Sequence, residues 1–219
     1  MDKKTNNLLN LIEDCSPYYI RFTFNTIPDI IDICNDALEK DTFAHHKWLK
    51  LNTERVEKIL SLIPFASDVN LNSDRALLFK EYPGGGSPIH KDAHDHKTSF
   101  NIGIKILDDK CITTWWSDED MSEYAIDWKD IPGFKSRNLL KNNNPVMAPG
   151  INKKPIKQTV FKQGEFVLFN TDIYHTWDNS QSDNIRINLT MRSVEVSTLT
   201  FNDAKQLLSK YIQGEKDGN

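Results

Sequence analysis

The chain has 219 residues, of which 38% are hydrophobic and 26% charged, and its formal net charge is -4 at pH 7. This length and composition predict one globular domain with an ordinary core and argue against a largely disordered chain. The slightly acidic balance argues against a strongly basic binding surface, so we expect no nucleic-acid partner.

The cysteines and the N-terminal segment indicate where the protein resides. Cys15, Cys34 and Cys111 lie far apart and show neither a CxxC motif nor zinc-finger spacing, so we expect reduced, mostly buried thiols. Residues 1–15 lack the continuous apolar segment of a signal peptide. No apolar run approaches the ~18 residues of a membrane span. We therefore expect a cytoplasmic protein with no membrane partner.

The first third of the chain predicts a strand followed by two helices. Residues 19–24 alternate apolar and polar side chains, which is typical of a strand. The following segment has Thr26 as a candidate N-cap, Pro28 in its first turn and apolar residues at helical spacing. A second amphipathic helix is predicted to begin after Thr53 and to end at Pro64.

From about residue 76 the pattern changes to short strands separated by turn residues, which predicts a sandwich or jelly roll. The predicted strands are ALLFKEY, TSFNIGIKIL, CITTWW, KQTVFK, GEFVLFN, IYHTWD and IRINLTMR. Residues 117–154 interrupt the series with a polar interval that we interpret as an insertion and a candidate lid. We expect one domain, with N-terminal support in 1–75, a core in 76–193, and a closing helix and tail in 194–219.

Two of these strands each have one polar and one apolar face, because side chains alternate along a strand. Polar side chains on the first are Ser99, Asn101, Gly103 and Lys105, and on the second Arg186, Asn188, Thr190 and Arg192. Two interpretations remain open at this point. The polar faces could be solvated over a core, or they could line the interior of a barrel around a hydrophilic ligand.

A candidate metal site comprises His90-Lys91-Asp92 and His175. His90 and Asp92 are two residues apart at a strand end, so both can project to one side. Two imidazoles and one carboxylate on one face of Fe(II) form the facial triad of non-haem oxygenases. A bidentate 2-oxo acid can fill two of the remaining positions and O₂ the third. An H-x-D pair alone is weak support, and the specificity comes from the later His175 and from Arg186, eleven residues beyond it.

Two segments, YPGGGSPIHKDAHDHKTSFNIGI and GEFVLFNTDIYHTWDNSQSDNIRINLTMR, resemble the iron(II)/2-oxoglutarate dioxygenase superfamily. The pattern is most similar to the aspartyl/asparaginyl β-hydroxylase-like and free-proline hydroxylase group. The resemblance covers residues 76–192 apart from the insertion. It implies a mainly β protein built on a double-stranded β-helix (jelly roll, cupin-like), with flanking N-terminal helices and a C-terminal helix.

The same resemblance implies the cofactors and the roles of the site residues. It implies Fe(II) held by the catalytic residues His90, Asp92 and His175, with 2-oxoglutarate and O₂ as co-substrates and ascorbate as a supporting reductant. Arg186 would anchor the distal carboxylate of 2-oxoglutarate. The expected reaction is hydroxylation of a small polar molecule or an amino-acid residue, with release of succinate and CO₂.

Further residues are secondary candidates for contact with 2-oxoglutarate or substrate. Ser99, Asn101 and Asn188 lie on the polar strand faces, and Trp116 ends a strand before the insertion. His94 and His96 continue the histidine run, where a local metal site and an exposed position are both open. Arg192 is a rival to Arg186 as the anchor because it lies on the same strand face.

Two other functions remain possible on the sequence alone. A non-catalytic or differently catalytic cupin-like metal barrel would use the same ligands without needing Arg186. The stretch RINLTMR also resembles the R-x-N-x-T-x-R signature of alkylated-base demethylases, but the spacing from the distal histidine is shorter here and the chain is acidic. We therefore favour the hydroxylase.

Overall fold

The structure, a computed structural model, describes residues 8–41, 48–72, 76–87, 89–92, 97–117, 154–194 and 199–212. Strands and helices in these ranges follow one another along the chain. They are β1 (Asn10–Cys15), β2 (Tyr19–Thr23), α1 (Ile27–Lys40), β3 (Trp48–Lys50), α2 (Thr53–Leu62), β4 (Leu77–Glu81), β5 (Thr98–Lys105), β6 (Ile112–Trp115), β7 (Lys157–Thr159), β8 (Phe166–Asn170), β9 (His175–Asp178), β10 (Arg186–Met191) and α3 (Phe201–Ser209). None of the described helices is long and apolar enough to span a bilayer.

The strands form two antiparallel sheets. The larger sheet has the order β1-β2-β8-β5-β10-β4-β3, and the smaller has the order β7-β6-β9. Gly86 and His90 form bridges with Asp178 and His175, so the chain after β4 extends the smaller sheet beyond β9. From β4 onward the chain therefore crosses between the two sheets at each step except from β6 to β7, which are neighbours in the smaller sheet. This is the mainly β arrangement that the sequence predicts.

The helices have local reasons to begin where they do. α1 starts with a proline in its first turn, and the hydroxyl of Thr26 donates to the carbonyl of Leu62 at 2.5 Å rather than capping the helix. Asn52 caps α2 by accepting from the backbone N–H of Arg55 at 2.9 Å. The backbone N–H of Asp203 donates to the hydroxyl of the α3 cap, Thr200, and the Asp203 carboxylate accepts from Thr200 in return, completing a capping box.

The main hydrophobic core lies between the helices and the outer face of the larger sheet. Apolar residues of β5, β8 and β10, such as Phe100, Phe166 and Leu189, pack there with Ile30 of α1 and Leu208 of α3. Because strand side chains alternate, the polar residues of β5 and β10 must face the other way. All of them except the exposed Lys105 line a cavity between the two sheets. This outcome decides between the two interpretations of the polar faces in favour of a lined interior.

Several predicted elements are confirmed, and two strands were not predicted. The strands from β4 to β10, the two N-terminal helices and the closing helix all fall within the predicted segments. β1 was missed because its side chains are largely exposed, and β3 because it has only 3 residues. Residues 118–153 of the predicted insertion lie outside the described residues, so its role as a lid stays a prediction.

Candidate metal centre and cofactor cavity

His90 and His175 are held side by side by backbone pairing. The N–H of His90 donates to the carbonyl of His175 at 3.0 Å, and the reverse bond is 2.8 Å. The imidazole centroids lie 4.4 Å apart. Oδ1 of Asp92 is 3.5 Å from Nε2 of His90 and 3.8 Å from Nε2 of His175. One ligand atom from each residue lies within 4.8 Å of the other two, so the predicted triad is brought together.

The chain fixes the ring orientation and protonation of His175. Nδ1 lies 2.8 Å from the carbonyl oxygen of Ile173. A carbonyl can only accept, so this contact places the ring proton on Nδ1 and leaves the Nε2 lone pair toward Asp92. Burial, followed by the neighbouring His90, lowers the pKa of His175 to about 3. The ring is therefore neutral at pH 7, as a metal ligand must be.

Asp92 is kept ionised by its neighbours. Burial by itself would raise the pKa of this carboxyl, but the Arg192 guanidinium and the two imidazoles outweigh it and hold the pKa well below its usual range. Nη2 of Arg192 donates to Oδ2 of Asp92, and Nη1 donates to the carbonyl of Thr98 at 3.3 Å. Arg192 is thus engaged by the metal carboxylate, while Oδ1 of Asp92 faces the two histidines.

Arg186 lies at the opposite end of β10, in register with Glu81 of β4. Its Nη1 donates to Oε2 of Glu81 at 2.8 Å and to Sγ of Cys111 at 3.2 Å. Burial would lower the pKa of Arg186, but the Glu81 carboxylate and the Cys111 sulfur raise it, so the guanidinium stays charged. Among the described residues, Nε of Arg186 is buried and has no hydrogen-bond partner. A buried donor of this kind marks a position where an acceptor is expected.

One cavity of about 350 Å³ contains the metal triad and both arginines. The candidates Ser99, Asn101 and Asn188 also line it. Asn101 donates to the hydroxyl of Ser99 at 2.9 Å and accepts from the hydroxyl of Thr190 at 2.8 Å. These contacts fix the amide in the cavity wall.

Trp116 is not among the residues that line this cavity, and its contact with 2-oxoglutarate or substrate stays a prediction. Its indole is buried in a small cluster with Ile89 and Tyr174, and its Nε1 lies 3.4 Å from the hydroxyl of Thr176. Thr113 of β6 lines the cavity, and Trp116 is three residues further on, so strand alternation places its side chain on the opposite face. His94 and His96 lie outside the described residues, and the question of a second histidine site there stays open.

The cavity also contains residues that the sequence did not single out. Glu81 and Phe79 face it from β4, Trp48 from β3 and Trp177 from β9. Phe79 and Glu81 are two residues apart and Trp177 is two residues beyond His175, so the same alternation rule could have placed them. What was missing was the knowledge that β4 borders β10.

Comparison with known proteins shows a shared fold. No protein-family model and no curated sequence matches this chain. A solved oxidoreductase of the 2OG-Fe(II) oxygenase family from Burkholderia pseudomallei is 10% identical, with 80% of this chain and 84% of that chain covered and a TM-score of 0.52. HygX from Streptomyces hygroscopicus, solved with nickel and 2-oxoglutarate bound, is 9% identical, with 79% and 80% covered and a TM-score of 0.51.

Proposed function

We propose that this protein is an Fe(II)- and 2-oxoglutarate-dependent oxygenase that hydroxylates its substrate. The overall reaction takes a C–H substrate, 2-oxoglutarate and O₂ to the alcohol, succinate and CO₂. The observation that carries the proposal is the combination, in one cavity, of a His-Asp-His cluster and a buried arginine with an unpartnered donor. A plain metal-binding barrel accounts for the first feature and leaves the second unexplained.

The donor set suits a divalent iron. His90, Asp92 and His175 would hold the ion from one side, which is the 2-His-1-carboxylate arrangement of Fe(II) oxygenases. When bound, iron with 2-oxoglutarate and O₂ supplies an oxidant able to remove hydrogen from a C–H bond. The chain contributes the ring orientation through Ile173 and the ionised state of Asp92 through Arg192. Both contacts prepare the ligands before a metal arrives.

The geometry of Arg186 suits the distal carboxylate of 2-oxoglutarate. Glu81 and Cys111 both bond to Nη1, while Nε has no partner among the described residues, which leaves the Nε side of the guanidinium for another acceptor. A guanidinium edge of two parallel N–H groups matches a carboxylate bidentately. Arg192 is less suited because it already holds the metal carboxylate. We therefore assign the anchor to Arg186, with Ser99, Asn101 and Asn188 as polar wall residues along the same cavity.

The fold supports the same proposal. Repeated crossing of the chain between two antiparallel sheets, with only β6 and β7 following each other in the same sheet, supports a double-stranded β-helix, or jelly roll. We propose this description for the core in residues 76–193, within a single domain that includes the N-terminal and C-terminal helices. The similarity to the β-hydroxylase and proline hydroxylase branch stays a prediction from the sequence motifs.

The decisive experiment measures metal content and succinate release together. Protein loaded anaerobically with Fe(II) should bind one iron and, on exposure to O₂, convert 2-oxoglutarate to succinate. His175→Ala should lose the iron and the turnover, whereas the surface variant Lys205→Ala should keep both. Iron content in His175→Ala equal to that of the wild type would show that the ligands are assigned wrongly. Iron binding without any succinate release would favour the non-oxygenase metal barrel.

A further inference from the structure

One wall of the cavity is aromatic. Trp48 on β3 pairs directly with Phe79 on β4, so the two side chains are neighbours on the same sheet face. Across the cavity, the ring of Trp177 on β9 meets that of Phe79 edge to face, with centroids 6.1 Å apart and planes at 79°. We call these three side chains the aromatic wall. It joins the larger sheet to the smaller one.

The aromatic wall is exposed in a way that core packing does not explain. The side chain of Trp48 is 53% exposed, and Phe79 and Trp177 are half-buried. In contrast, Phe100 and Phe166 on the helix side of the same sheet are fully buried. Large aromatic side chains are normally covered, and an uncovered group of them marks a binding surface.

One residue of the aromatic wall lies close to the metal site, and another lies far from the co-substrate anchor, Arg186. Trp177 lies two residues beyond His175 on the same face of β9, about 7 Å along the strand. Trp48 lies on β3, two strands away from β10, which places it about 10 Å from the strand that carries Arg186. The wall therefore extends outward from inside the cavity, where Trp177 follows His175 on β9 and Phe79 is two residues from Glu81, to Trp48, which lies farthest from Arg186. The outer part of the wall is the surface that would be left for a primary substrate.

A polar group accompanies the aromatic wall. Asn188 pairs in register with Phe79, so a side-chain amide faces the cavity directly beside the rings. The cavity of about 350 Å³ is at the lower end of the size range of small-molecule sites and would also hold 2-oxoglutarate, so little room is left inside it for a substrate. Together these features suit a flat ring system of modest size that carries a hydrogen-bonding substituent.

We propose that Trp48, Phe79 and Trp177 form the substrate subsite, and that the substrate is a small molecule with an aromatic or conjugated ring bearing a polar group. This inference rests on the proposed oxygenase function and specifies its substrate class. It departs from the small polar substrate that the sequence suggests. The rings would stack on the substrate, while Asn188 would bind its polar substituent, which brings a C–H bond next to the metal ligands.

The test uses two neutral probes that differ mainly in flatness, 2-naphthol and decahydro-2-naphthol. Binding of each is measured by ligand-observed NMR to the full-length protein under anaerobic conditions, with and without Fe(II) and 2-oxoglutarate. We expect the wild type to bind 2-naphthol about tenfold more tightly than its saturated counterpart. Trp48→Ala should lose about tenfold in 2-naphthol affinity and keep its 2-oxoglutarate affinity within about twofold.

Leu107→Ala is the matched control, because Leu107 is also an exposed apolar side chain and does not line the cavity. It should bind both probes as the wild type does. Equal affinity of the wild type for the two probes, or an unchanged 2-naphthol affinity in Trp48→Ala, would overturn the subsite. A parallel loss of 2-oxoglutarate affinity in Trp48→Ala would also overturn it, by making Trp48 part of the co-substrate site. Failure of the wild type to bind 2-oxoglutarate would refute the proposed function separately, since probe binding is also measured without it.

Discussion

The Arg186 guanidinium pairs with Glu81 and, in the proposed function, also binds the distal carboxylate of 2-oxoglutarate. Replacing Arg186 by lysine separates these two roles. A lysine ammonium can keep a charge close to Glu81, but it is a point charge and presents no second pair of parallel donors. The contact to Glu81 at 2.8 Å therefore has a substitute, whereas the Nε side of the guanidinium has none. We expect Arg186→Lys to fold and to retain the metal, and to bind 2-oxoglutarate poorly.

The expected loss follows from the burial of the site. Arg186 is only 6% exposed, so an incoming carboxylate would form a desolvated pair with it. Losing one partner of such a pair costs about 2–5 kcal/mol, which corresponds to a decrease in affinity of about 30-fold or more. Arg186→Met would go further, because it leaves the buried Glu81 unpaired and costs about 3–5 kcal/mol of folding stability. The double variant Glu81→Leu/Arg186→Met removes both charges and should recover much of that stability.

Titration of 2-oxoglutarate into each anaerobic Fe(II)-loaded variant measures the affinity, and thermal unfolding measures the stability. Arg192→Lys is the matched comparison on the same face of β10. Its partner is the metal carboxylate, so its main effect should be on iron retention. If Arg186→Lys bound 2-oxoglutarate like the wild type, or if Arg192→Lys lost more affinity for it, the anchor would be Arg192, six residues further along the chain, and not Arg186.

Glu81→Gln should tighten 2-oxoglutarate binding severalfold, as measured by calorimetry. The amide oxygen can still accept from Arg186, while the negative charge that competes with 2-oxoglutarate is gone. Weaker binding would show that the charge of Glu81 is needed to position Arg186. Because Asp92 takes the position that a chloride ligand would need, mass spectrometry of products formed in chloride buffer should show hydroxylation, and a chlorinated product would contradict the triad. Burial raises the pKa of Cys34 to about 12, so iodoacetamide at pH 8 should alkylate the part-exposed Cys15 and spare Cys34 in the native protein. The raised pKa of Cys34 also makes the free energy of unfolding depend on pH, because the folded protein holds the thiol proton more tightly than the unfolded chain does. The stabilising effect of this neutral thiol is complete below pH 9.0 and is lost as the pH rises toward 12.

Much of the candidate site could be predicted because it depends on short-range spacing. The alternation of β10 places Arg186 and Arg192 on one face whatever the rest of the chain does. The H-x-D spacing likewise brings His90 and Asp92 to one side. Their meeting with His175 was predicted from the order of motifs, and the structure shows the backbone pairing that produces it.

The remaining parts of the site depend on pairings between distant segments. Glu81 and Arg186 are 105 residues apart in sequence, and they meet because β4 and β10 are neighbours in a particular register. Trp48 reaches the cavity from a strand of 3 residues, which is too short to show a periodic pattern. Trp116 was singled out only because it ends a strand before the insertion, and that position does not specify which face its side chain occupies.

The paired charges of the cavity suit the proposed binding of a divalent cation and a dianion in one site. Asp92 is paired with Arg192 and Glu81 with Arg186, so these four side chains, two of them buried and two partly buried, contribute no net charge. Buried charges are tolerated when they are paired, which allows the chain to keep both arginines inside without either ligand. In the proposed oxygenase, Fe(II) would add two positive charges and 2-oxoglutarate would cancel them. The metal would then increase the attraction for the co-substrate, while Glu81 would limit the attraction that Arg186 alone would exert. We therefore predict that the affinity for 2-oxoglutarate depends on the bound metal as well as on Arg186.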